Sequence, residues 1–349
     1  MAKSTKLILA IDTSCDETAA AVTKGVKILS NVIASQTQIH KKYGGVEPLM
    51  AKREHQKLIN PVIGKALEQA GVNMEDIDAV AVTQGPGLAI ALEVGVAKAK
   101  ELAKKHNKPL IGVDHMEGHL VSAFAKDSDG KFGIANPEFP ALGLLVSGGH
   151  TELVLMENFG KYELVGQTLD DAAGECFDKV ARILDLDYPG GPALSKLAKK
   201  GDENAFDFPI PMKSSGDLNF SFSGLKTACL YASQELGKLS RKQKADFAAS
   251  FEKSAVAHLV NKLSTAVRTY KPKMVLIGGG VINNEKLQEE IKKEMGYADT
   301  PVYVPFNNNL LTDNAAMIAV AAYYMAKRGK FVKDPSKLDR VPNLSLENN

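Results

Sequence analysis

Tryptophan is absent from this 349-residue chain, and aromatic residues of all kinds make up only 6% of it. No aromatic interleaving or RNA-binding module accompanies its basic clusters, so RNA contact does not follow from composition. Cysteine is equally scarce. Cys15, Cys176 and Cys229 are odd in number and far apart, so they form neither a disulfide framework nor a zinc-ligand spacing, and they fit a reducing cytoplasm. Charge of one sign is lacking too. Lys and Arg number 43 against 41 for Asp and Glu, a net +2, so any nucleic-acid surface would be a local patch. Long apolar runs are missing. Leu7–Ile11 is cut by Asp12, too short for a signal sequence, and no stretch approaches a membrane span. A cytoplasmic globular protein with no membrane partner is expected, at a length sufficient for two cores.

What is present is a repeated order of elements. Residues 6–12 form an apolar strand, followed by strands at 18–22 and 26–33 joined by a tight turn at Lys24-Gly25. A helix over 48–70 contains Pro61, which predicts a kink or a break. A buried strand at 77–83, a helix near 90–106 and a strand at 109–113 complete the set. The second half repeats it: strands at 140–146, 151–156 and 162–168, a helix at 170–185, a long helix at 241–270 and a strand at 273–277. A helix at 285–295, a strand at 301–304 and a helix at 313–327 follow. A three-strand meander opening each copy predicts a duplicated actin-like, ribonuclease-H-like α/β fold, with nucleotide and metal in the cleft between two lobes. The first lobe is expected over 1–125, completed by the helix at 313–327. The second spans 139–311 with a looped insertion near 186–223. Residues 328–349 read as a loosely ordered basic tail.

Only 7 histidines occur, and two of them, His115 and His119, sit four residues apart after a strand-like run. On a helix they share a face and can grip one metal ion. Two ordinary surface or core histidines produce the same spacing. Glu117 lies about 200° round the helix from His115, the wrong face for the base of an H-E-x-x-H zinc protease. Asp313, in Thr312-Asp-Asn314, either caps the last helix or joins the histidines as a third ligand. Two imidazoles and a carboxylate suit iron(II) or zinc.

Glycine turns after apolar strands (Gly85-Pro-Gly87, Ser147-Gly-Gly149, Gly278-Gly-Gly280) let backbone N–H groups approach an anion, or merely turn the chain. Asn283 or Asn284 caps the next helix or bonds a ribose or base. Asp12 is a phosphate- or metal-directed carboxylate or a simple Asx turn. Asp170, Asp171 and Glu175 read as charge at a helix start, and Asp178 as a ribose acceptor. Gly190-Gly191 passes under a ligand or turns the chain. Lys199-Lys200, Lys238–Lys244 and Lys327–Lys337 are basic clusters whose default is solvated surface.

Taken together, several stretches spell one family. Ile11-Asp-Thr-Ser-Cys-Asp-Glu-Thr18, Gly85-Pro-Gly-Leu88, His115-Met-Glu-Gly-His119 and Leu145-Val-Ser-Gly-Gly-His-Thr151 come first. Phe177-Asp-Lys-Val-Ala181, Phe220-Ser-Phe-Ser-Gly-Leu-Lys226, Gly279-Gly-Val-Ile-Asn-Asn284 and Thr312-Asp-Asn314 follow. In that order they resemble the bacterial tRNA threonylcarbamoyladenosine transferases (TsaD), once labelled O-sialoglycoprotein endopeptidases. The resemblance implies one metal, iron(II) before zinc, on His115, His119 and Asp313. It implies threonylcarbamoyl-AMP bound by Leu145, Val146, Ser147, Gly148, Gly149, Asp178, Gly191 and Asn284. The acceptor would be the adenosine 3′ of the anticodon in tRNAs reading codons that begin with A; Asp12, at the end of the first strand, is the candidate for placing the acyl-phosphate or the amine. A catalytically inactive paralogue and a small ATPase subunit would be partners, and the helix over 48–70 resembles the surface that docks the paralogue. The rival readings are a metal-dependent protease, an actin-like small-molecule kinase and a non-enzymatic nucleotide-switched scaffold.

Overall fold

The apolar run near the N-terminus forms β1 (Leu7–Asp12), whose residues Ile8–Ile11 are fully buried, as expected of a central strand covered on both faces. The computed structural model describes residues 6–129, 134 and 136–348; Met1–Thr5 of the expected first lobe and Asn349 of the expected tail lie outside them. β2 (Glu17–Lys24) and β3 (Lys27–Ser35) follow as an antiparallel meander turning at Gly25-Val26, one residue later than expected. Then come α1 (Thr37–His40), α2 (Pro48–Ala70), β4 (Ala79–Gly85), α3 (Ala89–Lys105), β5 (Leu110–Asp114) and α4 (His115–Val121). β4 runs parallel to β1 and β5 parallel to β4, giving the sheet order β3-β2-β1-β4-β5.

The same order recurs. β6 (Ala141–Val146), β7 (Thr151–Asn158) and β8 (Lys161–Gln167) lead into α5 (Ala173–Ile183), α6 (Gly190–Ala198), α7 (Ser223–Leu236) and α8 (Arg241–Tyr270). β9 (Met274–Gly278), α9 (Glu285–Tyr297), β10 (Val302–Tyr303) and α10 (Ala315–Lys327) finish the chain's regular elements. The second sheet is ordered β10-β9-β6-β7-β8, the first sheet's pattern with β6 in the place of β1. β9 lies parallel to β6 and β7 antiparallel to it. This is the duplicated actin-like α/β fold. The chain divides into one unit of residues 1–137, 158–162 and 303–349, and another of 138–157 and 163–302.

Three expectations differ from the structure. Of the kink or break expected at Pro61, the break does not occur, since α2 runs as one helix over 23 residues. Pro61 sits on the exposed face, so the lost backbone bond lies in water's reach while Ala51, Ile59, Val62, Ile63 and Ala66 hold the buried face. The insertion near 186–223 is not all loop, since α6 lies within it and α7 begins at its end. α7 buries only Leu225 and Cys229, too few to produce a helical period in the sequence. The segment after α10 is tied down rather than loose. Val332 N donates to Leu110 O, Val341 N to Gln84 O and Gly87 N to Pro342 O, and Leu338 and Leu346 are buried.

Gly279, just past β9, holds φ at 97°, and a Cβ there would stand 2.3 Å from the Val146 carbonyl oxygen at the end of β6. Both the backbone and the space demand glycine. Gly279→Ala is expected to destabilise the protein by about 3 kcal/mol, read as a lower urea midpoint at unchanged slope.

Candidate active site

α4 begins where β5 ends because Asp114 caps it, its Oδ1 accepting from Met116 N at 2.7 Å and Glu117 N at 3.2 Å. Every residue of this seven-residue helix is buried. His115 and His119 lie on one face with ring centroids 4.8 Å apart. Asp313 precedes α10, whose cap is its neighbour Asn314, with Oδ1 accepting from Met317 N. That leaves the Asp313 carboxylate for the histidines: its Oδ1 is 3.3 Å from His115 Nε2 and 3.2 Å from His119 Nε2. Of the two roles open to Asp313 in the sequence, capping therefore falls to Asn314.

One ligand atom from each of His115, His119 and Asp313 falls within 4.8 Å of the others, so the group can hold one metal ion. First-row ions bind imidazole nitrogen at about 2.0–2.1 Å, which puts neighbouring ligand atoms roughly 3.0–3.4 Å apart, the spacing of both Asp313 contacts. His115 Nδ1, His119 Nδ1 and Asp12 Oδ2 are buried with no hydrogen-bond partner among the described residues. A cation-binding centre fits this donor set. Burial pulls His115 down, but the carboxylates of Asp313, Asp12 and Asp114 outweigh it and raise the imidazole to about 9. Burial lowers His119. Burial would raise Asp313, yet the two imidazoles hold it well below the usual carboxylate range.

Asp12 makes the Asx turn, and its carboxylate also lies beside His115. Its Oδ1 closes an Asx turn by accepting from Ser14 N at 3.1 Å, accepts from Thr83 Oγ1 at 2.7 Å, and lies 3.9 Å from His115 Nδ1. Burial raises its pKa above the ordinary value, against the pull of His115. Glu117 faces away from the histidines, and its Oε1 accepts from Tyr162 Oη at 2.7 Å and Arg328 Nη2 at 3.3 Å. It is committed elsewhere and is no metalloprotease base.

The second unit carries a cavity of about 410 Å³. Of the donor-site residues expected from the sequence, Gly148, Asp178, Gly191 and Asn284 line it. Ser147 and Gly149 do not, and the Leu145 and Val146 side chains are buried in β6. Asp178 Oδ1 accepts from Gly191 N at 2.7 Å. Asn284 caps α9 by accepting from Leu287 N, and its Nδ2 donates to Ser195 Oγ at 2.9 Å and Glu252 Oε1 at 2.5 Å. Ser195, Lys196 and Lys199 of α6 also line the cavity. Sequence reasoning missed them because α6 opens on Gly-Gly-Pro and reads as loop; the i,i+4 pair Ser195–Lys199 was the available signal. Asp170 is not charge at the start of α5. It accepts from Ser221 Oγ, Phe222 N and Ser223 N and so fastens the start of α7.

A family model described as tRNA N6-adenosine threonylcarbamoyltransferase (TsaD) matches residues 27–320. The curated protein of that name from Symbiobacterium thermophilum is 48% identical, with 97% of each chain covered. The chain belongs to the TsaD family. The family's protein from Thermosipho africanus is 45% identical over 97% of this chain and 100% of its own. Among solved structures, T. kodakarensis HypF superposes with a TM-score of 0.64 at 15% identity, covering 95% of this chain and 49% of that one. Component A of the Acidaminococcus fermentans (R)-2-hydroxyglutaryl-CoA dehydratase gives 0.52 at 15% identity, covering 93% and 99%. These two likenesses concern the fold alone. No helix among the described residues is long and apolar enough to cross a membrane.

In this TsaD-family chain the neighbouring carboxylates push His115 up to about 9, while burial lowers His119 and the imidazoles lower Asp313, so below about pH 9 a metal competes with a proton on His115. Metal affinity is expected to fall about tenfold per pH unit as pH drops below about 9, and to level off above it. Competition with a chelator across that range, together with the single proton released per ion at pH 7, reads this out.

Proposed function

We propose that the protein transfers the threonylcarbamoyl group from threonylcarbamoyl-AMP to the exocyclic amine of the adenosine 3′ of the anticodon, in tRNAs reading codons that begin with A. Membership of the TsaD family over 97% of the chain carries this reading. An adenine amine is a poor nucleophile, so the carbamoyl group must arrive as a mixed anhydride. Anticodon-loop bases can be splayed out to present that amine. The donor's nucleotide is assigned to the cavity of the second unit. There the Asp178 carboxylate accepts from a ribose hydroxyl, and the glycine backbone at Gly148 and Gly191 leaves room for close approach. Asn284 spends both amide hydrogens on Ser195 and Glu252, so only its oxygen has a lone pair left to meet a donor on the ligand.

His115, His119 and Asp313 would hold one divalent ion, which we assign as iron(II), with zinc as the alternative. When bound, it supplies Lewis acidity toward the donor's carbonyl and phosphate oxygens. Asp12, 3.9 Å from His115, places the acyl-phosphate or the incoming amine and restrains the imidazole. The three free cysteines and the tRNA substrate agree with a cytoplasmic setting. For partners we assign an inactive paralogue, docking through the α2 surface, and a small ATPase subunit.

Reconstitution with threonylcarbamoyl-AMP, tRNA and those partners, followed by nucleoside analysis, tests the assignment. His115→Ala is expected to lose at least about 100-fold in modification, more than loss of an outer contact costs. Full modification by that variant would sink the metal-centred reading. Asp12→Asn is expected to slow transfer about tenfold, and a normal rate would remove Asp12 from the reaction.

A further inference from the structure

Glu117 stands midway between His115 and His119 and therefore about 200° from each around α4, diametrically placed to the metal-facing edge. It is fully buried, and its Oε1 takes Tyr162 Oη at 2.7 Å and Arg328 Nη2 at 3.3 Å. Arg328 is the residue that closes α10 at its C-terminal end. Asp313, the carboxylate that meets both histidines, precedes the other end of the same helix, about 22 Å away along its axis at 1.5 Å per residue. Between those ends α4 presses directly on α10: a Cβ added at Gly118 would lie 3.0 Å from Ile318 Cδ1 and 3.2 Å from Met317 Cγ.

We infer that Glu117 is a positioning residue for the metal centre, a brace that locks α4 against α10 from the face opposite the histidines. This rests on the reading of His115, His119 and Asp313 as ligands, and it names the residues that set their geometry. The packing at Gly118 sets the distance between the helices, and the rotation of α4 about its own axis is what the brace holds. Rolling swings His115 and His119 away from Asp313 together. A charge pair on the far face opposes that roll, because the same motion would drag Glu117 off Arg328 and Tyr162. The ring of Tyr162 belongs to a segment that is itself pinned, with Phe159 stacked on Tyr324 of α10 at 3.7 Å. Ligand-orienting groups of this kind typically change metal affinity 10–100-fold.

Cobalt(II), titrated into the full-length chain and followed by its visible absorption, is the probe. The wild type is expected to bind one ion; no binding would overturn the ligand reading itself and this inference with it. If the wild type binds, Glu117→Ala and Arg328→Ala are each expected to bind cobalt about 10–100-fold more weakly, with a shifted band. The double variant is expected to be no weaker than the worse single one, since both remove one brace. Arg328→Lys keeps the charge and is expected to stay within about threefold of wild type. Affinity and band unchanged in folded single variants, or losses that simply add in the double, would overturn the brace while leaving the metal site standing. Should Glu117→Ala not fold, Glu117→Gln replaces it: weakening of at least about threefold supports the brace, and none overturns it.

Discussion

A short helix that is buried on every side while carrying two imidazoles and a carboxylate is the constraint on which the first unit turns. α4 has no solvent-facing edge, so His115, His119 and Glu117 must all find partners inside the protein. One element, α10 with its flanking residues, answers on both faces. Asp313 meets the histidines and Arg328 meets Glu117. Its apolar residues, buried almost throughout, seat α10 on the first sheet, and its two ends then supply those polar partners. The carboxylates of Asp313, Asp12 and Asp114 then outweigh burial and raise the His115 imidazole to about 9.

The second unit solves a different problem with the same frame. Its central strand, β6, is buried along its whole length, so chemistry can only collect where β6 and β9 end and the chain turns. At that edge Gly279 passes against β6, and Gly174 lies so close to the Ser147 carbonyl that a Cβ would sit 2.7 Å from it. Small residues there keep the backbone near the cavity. Asp178 and Asn284 enter from α5 and from the cap of α9, each fixed by a backbone N–H.

Much of this was legible beforehand. α2 and α8 begin and end at the expected residues, because proline starts α2 and a Ser240–Gln243 capping box starts α8. The meander in each copy announced the duplicated fold. Legibility failed where periodicity was weak or composition misled. α6 opens on glycines and proline, and α7 buries too few residues to leave a stripe. Polar, lysine-bearing residues after α10 looked like a loose tail, yet their backbone pairs with Leu110, Gln84 and Gly87. Backbone hydrogen bonds to distant residues leave no pattern in side-chain chemistry.

The sequence by itself determined the family, the alternation of strands and helices and the pairing of His115 with His119, since these depend on local order and spacing. Only the tertiary structure decided between the roles open to single residues. Asp313 was a cap or a ligand until Asn314 took the cap. Asp12 was an Asx turn or a site carboxylate, and the fold shows the turn made with the same carboxylate 3.9 Å from His115. Spacing alone put Glu117 on the wrong face for a protease base, but only the fold showed what it does instead: Tyr162 and Arg328, 45 and 211 residues further along, claim its oxygen. A polar side chain's role is set by which groups burial brings to it, and those groups come from parts of the chain that spacing does not reach.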